Sequence, residues 1–264
     1  GSAYIFEKIG STWTEVQKIK SSNPQYNDRF GQSVAIIGTT VIVGGPQYSN
    51  VGYGSAYIFE RNGDGSWNAT ETQKIQASDK DDEDRFGWSV AISGTTAIVG
   101  AYQEDTEAGA AYIFEKDGST WSEVTKIQAS DKGSYDNFGI SVAISGTTAI
   151  VGAYVEDTND LFNAGAAYIF EHNGSNWIEV EKIHANVPRA NDGFGNSVAI
   201  SGTTAIVGQQ YGDPSGVSNA GRAYIFERVV TQQLSTVPTL KAPATVTLDG
   251  TTLLIENNMG EAWD

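Results

Sequence analysis

The same twelve residues, SVAISGTTAIVG, stand at 89–100, 141–152 and 197–208, and a close copy, SVAIIGTTVIVG, stands at 33–44. A second string, G-[SAR]-A-Y-I-F-E, begins at Gly1, Gly54, Gly109, Gly165 and Gly221, in steps of 53, 55, 56 and 56 residues. A tryptophan follows four of these, as Trp13, Trp67, Trp121 and Trp177. Asp-x-Phe-Gly recurs at Asp28–Gly31, Asp84–Gly87, Asp136–Gly139 and Asp192–Gly195. Self-similarity on this period means one small unit repeated, each copy unable to bury its apolar faces alone and stabilised by its neighbours.

Each unit reads as four short strands. SVAIS is the first and TAIVG the second, joined by a tight Gly-Thr-Thr turn. AYIFE is the third and W-x-E-V-x-K-I the fourth, joined by hairpins such as Lys116-Asp117-Gly118-Ser119, where glycine supplies the positive φ that a tight turn needs. Small or apolar residues run through SVAIS and TAIVG, which suits sheets covered on both faces. Four-stranded sheets repeated radially are the β-propeller solution. A solenoid is the competitor, but its repeats are usually shorter. Thirty glycines, twelve tyrosines, ten phenylalanines and six tryptophans fit a turn-rich, aromatic-rich, all-β chain.

A period near 55 in 264 residues predicts five blades, of which four copies look complete. Residues 245–256, TVTLDGTTLLIE, align without a gap on SVAISGTTAIVG. The expectation is therefore a single propeller domain over 1–264, with units starting near 1, 54, 109, 165 and 221. Its fifth blade would combine 245–264 with 1–20, so that N- and C-terminal strands share one four-stranded sheet and fasten the ring. Residues 229–244, VVTQQLSTVPTLKAPA, would then supply the fourth strand of the fourth blade, although they lack the tryptophan and the Lys-Ile. The competing reading makes 231–264 a linker and the chain a fragment of a larger ring. An opening Gly-Ser in place of methionine suits a piece of something longer.

The pairs Phe30-Gly31, Phe86-Gly87, Phe138-Gly139 and Phe194-Gly195, each followed closely by a strand of SVAI type, carry a resemblance. So do Gly44-Gly45-Pro46, Gly100-Ala101-Tyr102, Gly152-Ala153-Tyr154 and Gly208-Gln209-Gln210, followed by the AYIFE segments. Together they resemble the FG-GAP repeats of the integrin α-chain head and of many bacterial and algal surface proteins. The resemblance covers residues 1 to about 230 and implies a propeller exposed at a cell surface. Two departures stand out. Rings of that family most often have seven blades, and its Asp-x-Asp-x-Asp-Gly calcium loop between strands one and two is replaced here by Ser-Gly-Thr-Thr. The family's calcium sites therefore do not transfer to residues of this chain.

Sixteen Lys and Arg against thirty-two Asp and Glu give a net charge of −16, a field that repels phosphate backbones and anionic bilayers. Nucleic acid is excluded as a partner. No run of eighteen apolar residues exists to insert in a membrane. With no cysteine and two histidines, disulfide scaffolds, thiolate zinc sites and histidine-rich metal centres are excluded too. No Gly-x-Ser-x-Gly elbow, phosphate loop or His-Glu-x-x-His helix occurs. The first strands carry no carboxylate pair of the kind that glycosidases need. The chain is expected not to be an enzyme.

In a propeller the connections from strand four to one and from two to three emerge on one face. Most of the acid sits there, and 79–84 alone offers five carboxylates in six residues. Calcium, which takes six to eight oxygens, makes Asp79, Asp81, Asp84, Glu104 and Asp105 a candidate metal set. The competing reading is a solvated acidic loop. The aspartates that recur before Phe-Gly, Asp84 among them, read as turn closers accepting backbone N–H bonds. The same loops carry Trp88, Tyr102, Tyr135, Tyr154 and Tyr211, a candidate ligand platform. Trp88 is the most telling of these, because Gln32, Ile140 and Asn196 occupy the equivalent place and packing does not demand an indole. A non-catalytic extracellular or cell-surface binding and adhesion module is expected, with a glycan or a protein as partner. The alternatives are a structural subunit or spacer that assembles into a surface appendage or particle, and a designed consensus propeller.

Overall fold

The computed structural model describes residues 1–48, 52–213 and 217–228, and the backbone of two strands beyond them. β1 (Ala3–Ile9) and β2 (Thr12–Ile19) form a two-stranded antiparallel sheet. Blade one is next, an antiparallel meander of β3 (Val34–Ile37), β4 (Thr40–Gly45), β5 (Ser55–Glu60) and β6 (Gln73–Ile75). Blade two comprises β7 (Ser89–Ser93), β8 (Thr96–Ala101), β9 (Ala110–Asp117) and β10 (Thr120–Ile127). Blade three comprises β11 (Ser141–Ser145), β12 (Thr148–Ala153), β13 (Ala166–His172) and β14 (Trp177–Ile183). Blade four holds three described strands, β15 (Phe194–Ser201), β16 (Thr204–Gln209) and β17 (Arg222–Glu227). In blades one to three the four predicted strands per unit thus stand where the sequence puts them. Gly94 and Gly118, at φ 58° each, turn the two kinds of hairpin.

The junctions explain why the repeated residues are what they are. Blade one presents Ile42, Ala56, Ile58 and Ile75 to Val90, Val99, Tyr112, Phe114 and Trp121 of blade two, and all of these are buried. The same contact recurs between blades two and three, and between three and four. β1 and β2 behave as the outer half of a preceding blade, packing Ile5 and Ile19 on Phe30, Tyr57, Phe59 and Trp67. Each Phe of Phe-Gly is core, not ligand platform: Phe86, Phe138 and Phe194 are fully buried. Phe86 stands edge-on to Tyr112 and Phe114, at 5.5 and 5.9 Å between centroids. The glycine beside it, Gly87 at φ 92°, leaves no room for a Cβ against the Ser55 carbonyl, so backbone meets backbone across the junction.

A serine in three of the four-to-one connections latches the next blade; the connection before blade four carries Asn186 at that place. Ser22, Ser78 and Ser130 each donate both backbone N–H and hydroxyl to one carboxylate, on Glu71, Glu123 and Glu179 respectively, at 2.7–2.8 Å.

The expected five four-stranded blades are not what the sheets display: among the described residues three sheets have four strands, one has three and two have two. The chain also divides into two compact units, 1–228 and 229–264, where the sequence suggests one domain. In the second, β18 (Ala244–Leu248) pairs with β19 (Thr251–Ile255). Leu248 faces Thr251, whereas the gapless alignment on SVAISGTTAIVG puts Asp249 opposite Thr252. The hairpin register is thereby moved by one position in each strand, and Asp-Gly is a dipeptide strongly suited to joining strands through two residues. The expected fourth strand of blade four and the polar tail after residue 255 lie outside the described residues.

Candidate functional site

The loop face is held, not loose. Among the described residues, every non-glycine residue with positive φ lies in a four-to-one or two-to-three connection. Asp105, Thr106 and Glu107 adopt it in succession, at 50°, 59° and 61°. The opposite hairpins use glycine for the same purpose. Non-glycine residues are held in this region only where surrounding contacts over-determine them.

Three acidic residues of the candidate metal set, Asp79, Glu104 and Asp105, are partnered by lysine. Lys126, from β10, places its ammonium between Asp79 Oδ2, at 2.7 Å, and Glu104 Oε1, while the Tyr112 hydroxyl donates to Asp79 Oδ1 at 2.8 Å. Blade three repeats the arrangement with Lys182, Asp131, Glu156 and Tyr168. Burial alone would raise the Asp79 carboxyl, but hydrogen bonds from Lys126 and Tyr112 outweigh it and hold the carboxyl below its usual range. Burial, with nearby carboxylates, pushes the Tyr112 and Tyr168 phenols well up. Asp105 pairs with a different lysine, Lys132, at 2.8 Å. Asp84 is buried and accepts the Asp81 backbone N–H at 2.6 Å, the predicted turn closure. Asp28 and Asp136 do the same three residues downstream of their donors, whereas Asp192 takes the Gln209 amide at 2.9 Å. Desolvation raises Asp84 to about 6 and Asp136 likewise. Among the described residues no three His, Cys, Asp or Glu side chains gather where they could hold a metal.

The aromatic residues separate into a connected set and an outlier. Trp88 packs against Tyr102 with 4.7 Å between centroids. Burial first, then the charges and phenols of Tyr48, Arg85, Glu107 and Tyr154, set the Tyr102 hydroxyl, which is pushed up to about 12. Tyr154 is raised by burial and by Tyr211, and both rings flank Gly193. Tyr48, Tyr102, Tyr154 and Tyr211 thus succeed one another from blade to blade, with Trp88 beside the second. Tyr135 stands apart: it is exposed, and its backbone N–H donates to the Thr106 carbonyl at 3.2 Å. Tyr48 escapes sequence reasoning because it lies two residues beyond the repeat position of Tyr102. Its ring is stacked between the Arg29 and Arg85 guanidinium groups, at 3.7 and 4.3 Å.

Four-stranded antiparallel blades packed face to face, with one connected loop face, define a β-propeller. The chain belongs to the FG-GAP repeat family, whose sequence model matches residues 13–59, 69–114, 121–170 and 177–226. Each match begins at or near the tryptophan strand and ends in AYIFE, so the family unit runs from the fourth strand of one blade through the third of the next. No curated protein matches the chain. Among the described residues no helix is long and apolar enough to cross a membrane.

Proposed function

We propose that the protein is a non-catalytic extracellular or cell-surface binding module whose loop face recognises a carbohydrate. The observation that carries this reading is that Tyr48, Tyr102, Tyr154 and Tyr211 stand in the two-to-three connections of successive blades, with Trp88 packed on Tyr102 and with Tyr154 and Tyr211 both beside Gly193. Partly exposed rings beside carboxylates and amides are what sugar C–H faces and hydroxyls require. The side chains of Glu107 and Gln103 lie close by. A glycan-array screen in calcium-containing buffer tests it: a selective, competable signal that falls at least tenfold in Trp88→Ala and Tyr154→Ala supports the reading, and a blank array removes it in favour of a protein partner.

The fold behind that face is proposed to have five blades, the fifth built from β18, β19, β1 and β2. Support comes from β1, whose edge is unpaired among the described residues. A groove of about 470 Å³ beside it is lined by Tyr4, Phe6, Val34 and Ile36. Val34 and Ile36 are each 58% exposed, whereas Val142 and Ile144 at the same places in blade three are each 8% exposed. Deleting 244–264 should lower the melting temperature; an unchanged melt would remove the shared fifth blade.

A further inference from the structure

The two ends of the 1–228 unit are the two halves of the junction that the interior already uses three times. At one end, Tyr4, Phe6 and Trp13 correspond to Tyr112, Phe114 and Trp121, which are buried under the preceding blade at 0, 2 and 3% exposure, yet here they are 49, 51 and 67% exposed. At the other end, Ile206 and Ile225 correspond to Ile42 and Ile58, which are fully buried, yet here they are 42 and 69% exposed. Among the described residues, the first end has no blade in front of it and the second has none behind it. Aromatic residues protrude at the first, and aliphatic ones at the second.

Charge points the same way. Along the interior junctions, a cation just after AYIFE reaches back to the glutamate that ends AYIF-Glu in the preceding blade. Arg61 pairs with Glu7 at 2.9 Å, Lys116 with Glu60 at 3.0 Å, and Arg228 with Glu171. His172 takes the same position opposite Glu115 across one small cavity. The series has two open ends, Lys8 and Glu227. Glu227 is already oriented like Glu60, each accepting a hydroxyl from the threonine across the strand pair, Thr204 and Thr40 respectively.

We propose that the outward face of blade four is the docking surface for the β1–β2 sheet of the same chain, with Tyr4, Phe6 and Trp13 seated on Ile206, Ala223 and Ile225 and Lys8 paired with Glu227. This rests on the five-blade reading and supplies its closing contact. The two faces belong to one chain, so they meet at an effective concentration that a dilute second copy does not match. A second copy joined head to tail would use the same residues and build open assemblies.

Zero-length carbodiimide cross-linking of the intact protein, read by peptide mass spectrometry, tests the contact. An equal mixture of normal and ¹⁵N-labelled protein tells links within a chain from links between chains. The Lys116–Glu60 pair is the internal control. The expected result is a Lys8–Glu227 link confined to unmixed isotope pairs, with a yield unchanged on tenfold dilution. A link in mixed isotope pairs would overturn same-chain docking in favour of a second copy. The control link without any Lys8–Glu227 link would overturn the contact altogether. Neither result bears on glycan binding by the opposite set of residues. If Lys8–Glu227 links within the chain while deletion of 244–264 leaves the melt unchanged, the docking stands and the shared fifth blade fails.

Discussion

The segment AYIFE occurs at β1 and, with one alanine preceding it, at β9, and the two copies have opposite fates. In β9, Tyr112 and Phe114 are 0 and 2% exposed; in β1, Tyr4 and Phe6 are 49 and 51% exposed. Intrinsic strand preference cannot account for this, because the residues are the same. The neighbour decides: β9 lies against a complete blade one, and β1 has nothing described in front of it. In a repeat fold a residue's energy belongs to the junction more than to the residue.

The sharpest break of that comparison is at the glycines. Gly139, at φ 92°, faces the Ala110 carbonyl so closely that a Cβ has no place, whereas Gly118, at φ 58°, has nothing within 4 Å of an added Cβ. Gly139→Ala should cost at least about 4 kcal/mol or prevent folding, and Gly118→Ala about 1 kcal/mol. Chemical denaturation of the two variants reads the difference; equal losses would mean that the blades do not touch through backbone at Phe-Gly.

Next in size is Phe114→Ala, expected to cost about 3–5 kcal/mol by removing a buried ring. Phe6→Ala is the informative partner. If β1 and β2 dock on blade four, its cost rises to about 2–4 kcal/mol; with the face open to water it stays below about 1 kcal/mol. The proposed docking predicts the larger value.

Most of the fold was legible because the repeat prints its own strand boundaries: SVAIS, TAIVG and AYIFE became β7, β8 and β9, and Phe86, Phe138 and Phe194 became core as their recurrence implied. The site was less legible. Asp79 and Glu104 read as calcium ligands because carboxylates near one another in a loop look alike on paper. The ammonium that joins them comes from Lys126, more than twenty residues away from either, in a strand whose repeat marks it only as regular spacing within Lys-Ile. Tyr48 was missed for a related reason: its loop is out of register with the repeat, and alignment by period overlooks a side chain that reaches the same place by another route. The tail resisted because its strand pair can be aligned in two registers that differ by two residues: Leu248 meets Thr251 instead of Leu253, and a slip of two keeps every residue on its face, so the hydrophobic pattern does not choose between them.

Acidity sharpens the contrast between the loop carboxylates. Asp84 and Asp136 are raised to about 6, above the unfolded value of 3.8, so the folded chain takes up their protons first as pH falls. Stability from this source should therefore increase from pH 7.5 to 5, by roughly 2 kcal/mol. Asp79 and Asp131, held low by their lysines, act in the opposite sense and remove stability once the pH drops below about 4. Melting temperature against pH should pass through a maximum between these limits, and Asp84→Asn with Asp136→Asn should flatten its neutral side. A melt that falls steadily from pH 7.5 to 5 would show that those two carboxyls are not desolvated.

The smallest effect compares a latched glutamate with its unlatched counterpart. Glu123 accepts two hydrogen bonds from Ser78, at 2.8 Å each, whereas Glu15, its equivalent in β2, is exposed and could be latched only by a residue preceding a fifth blade. Both serine donors remain near water, so Glu123→Ala should cost about 1 kcal/mol. Glu15→Ala should cost nothing measurable if β2 ends the sheet stack, and about the same as Glu123→Ala if the 229–243 segment supplies a donor to it. Thermal melts resolve a difference of this size. A loss at Glu15 equal to that at Glu123 would extend the latch to a fourth junction and make the ends of the molecule as regular as its middle.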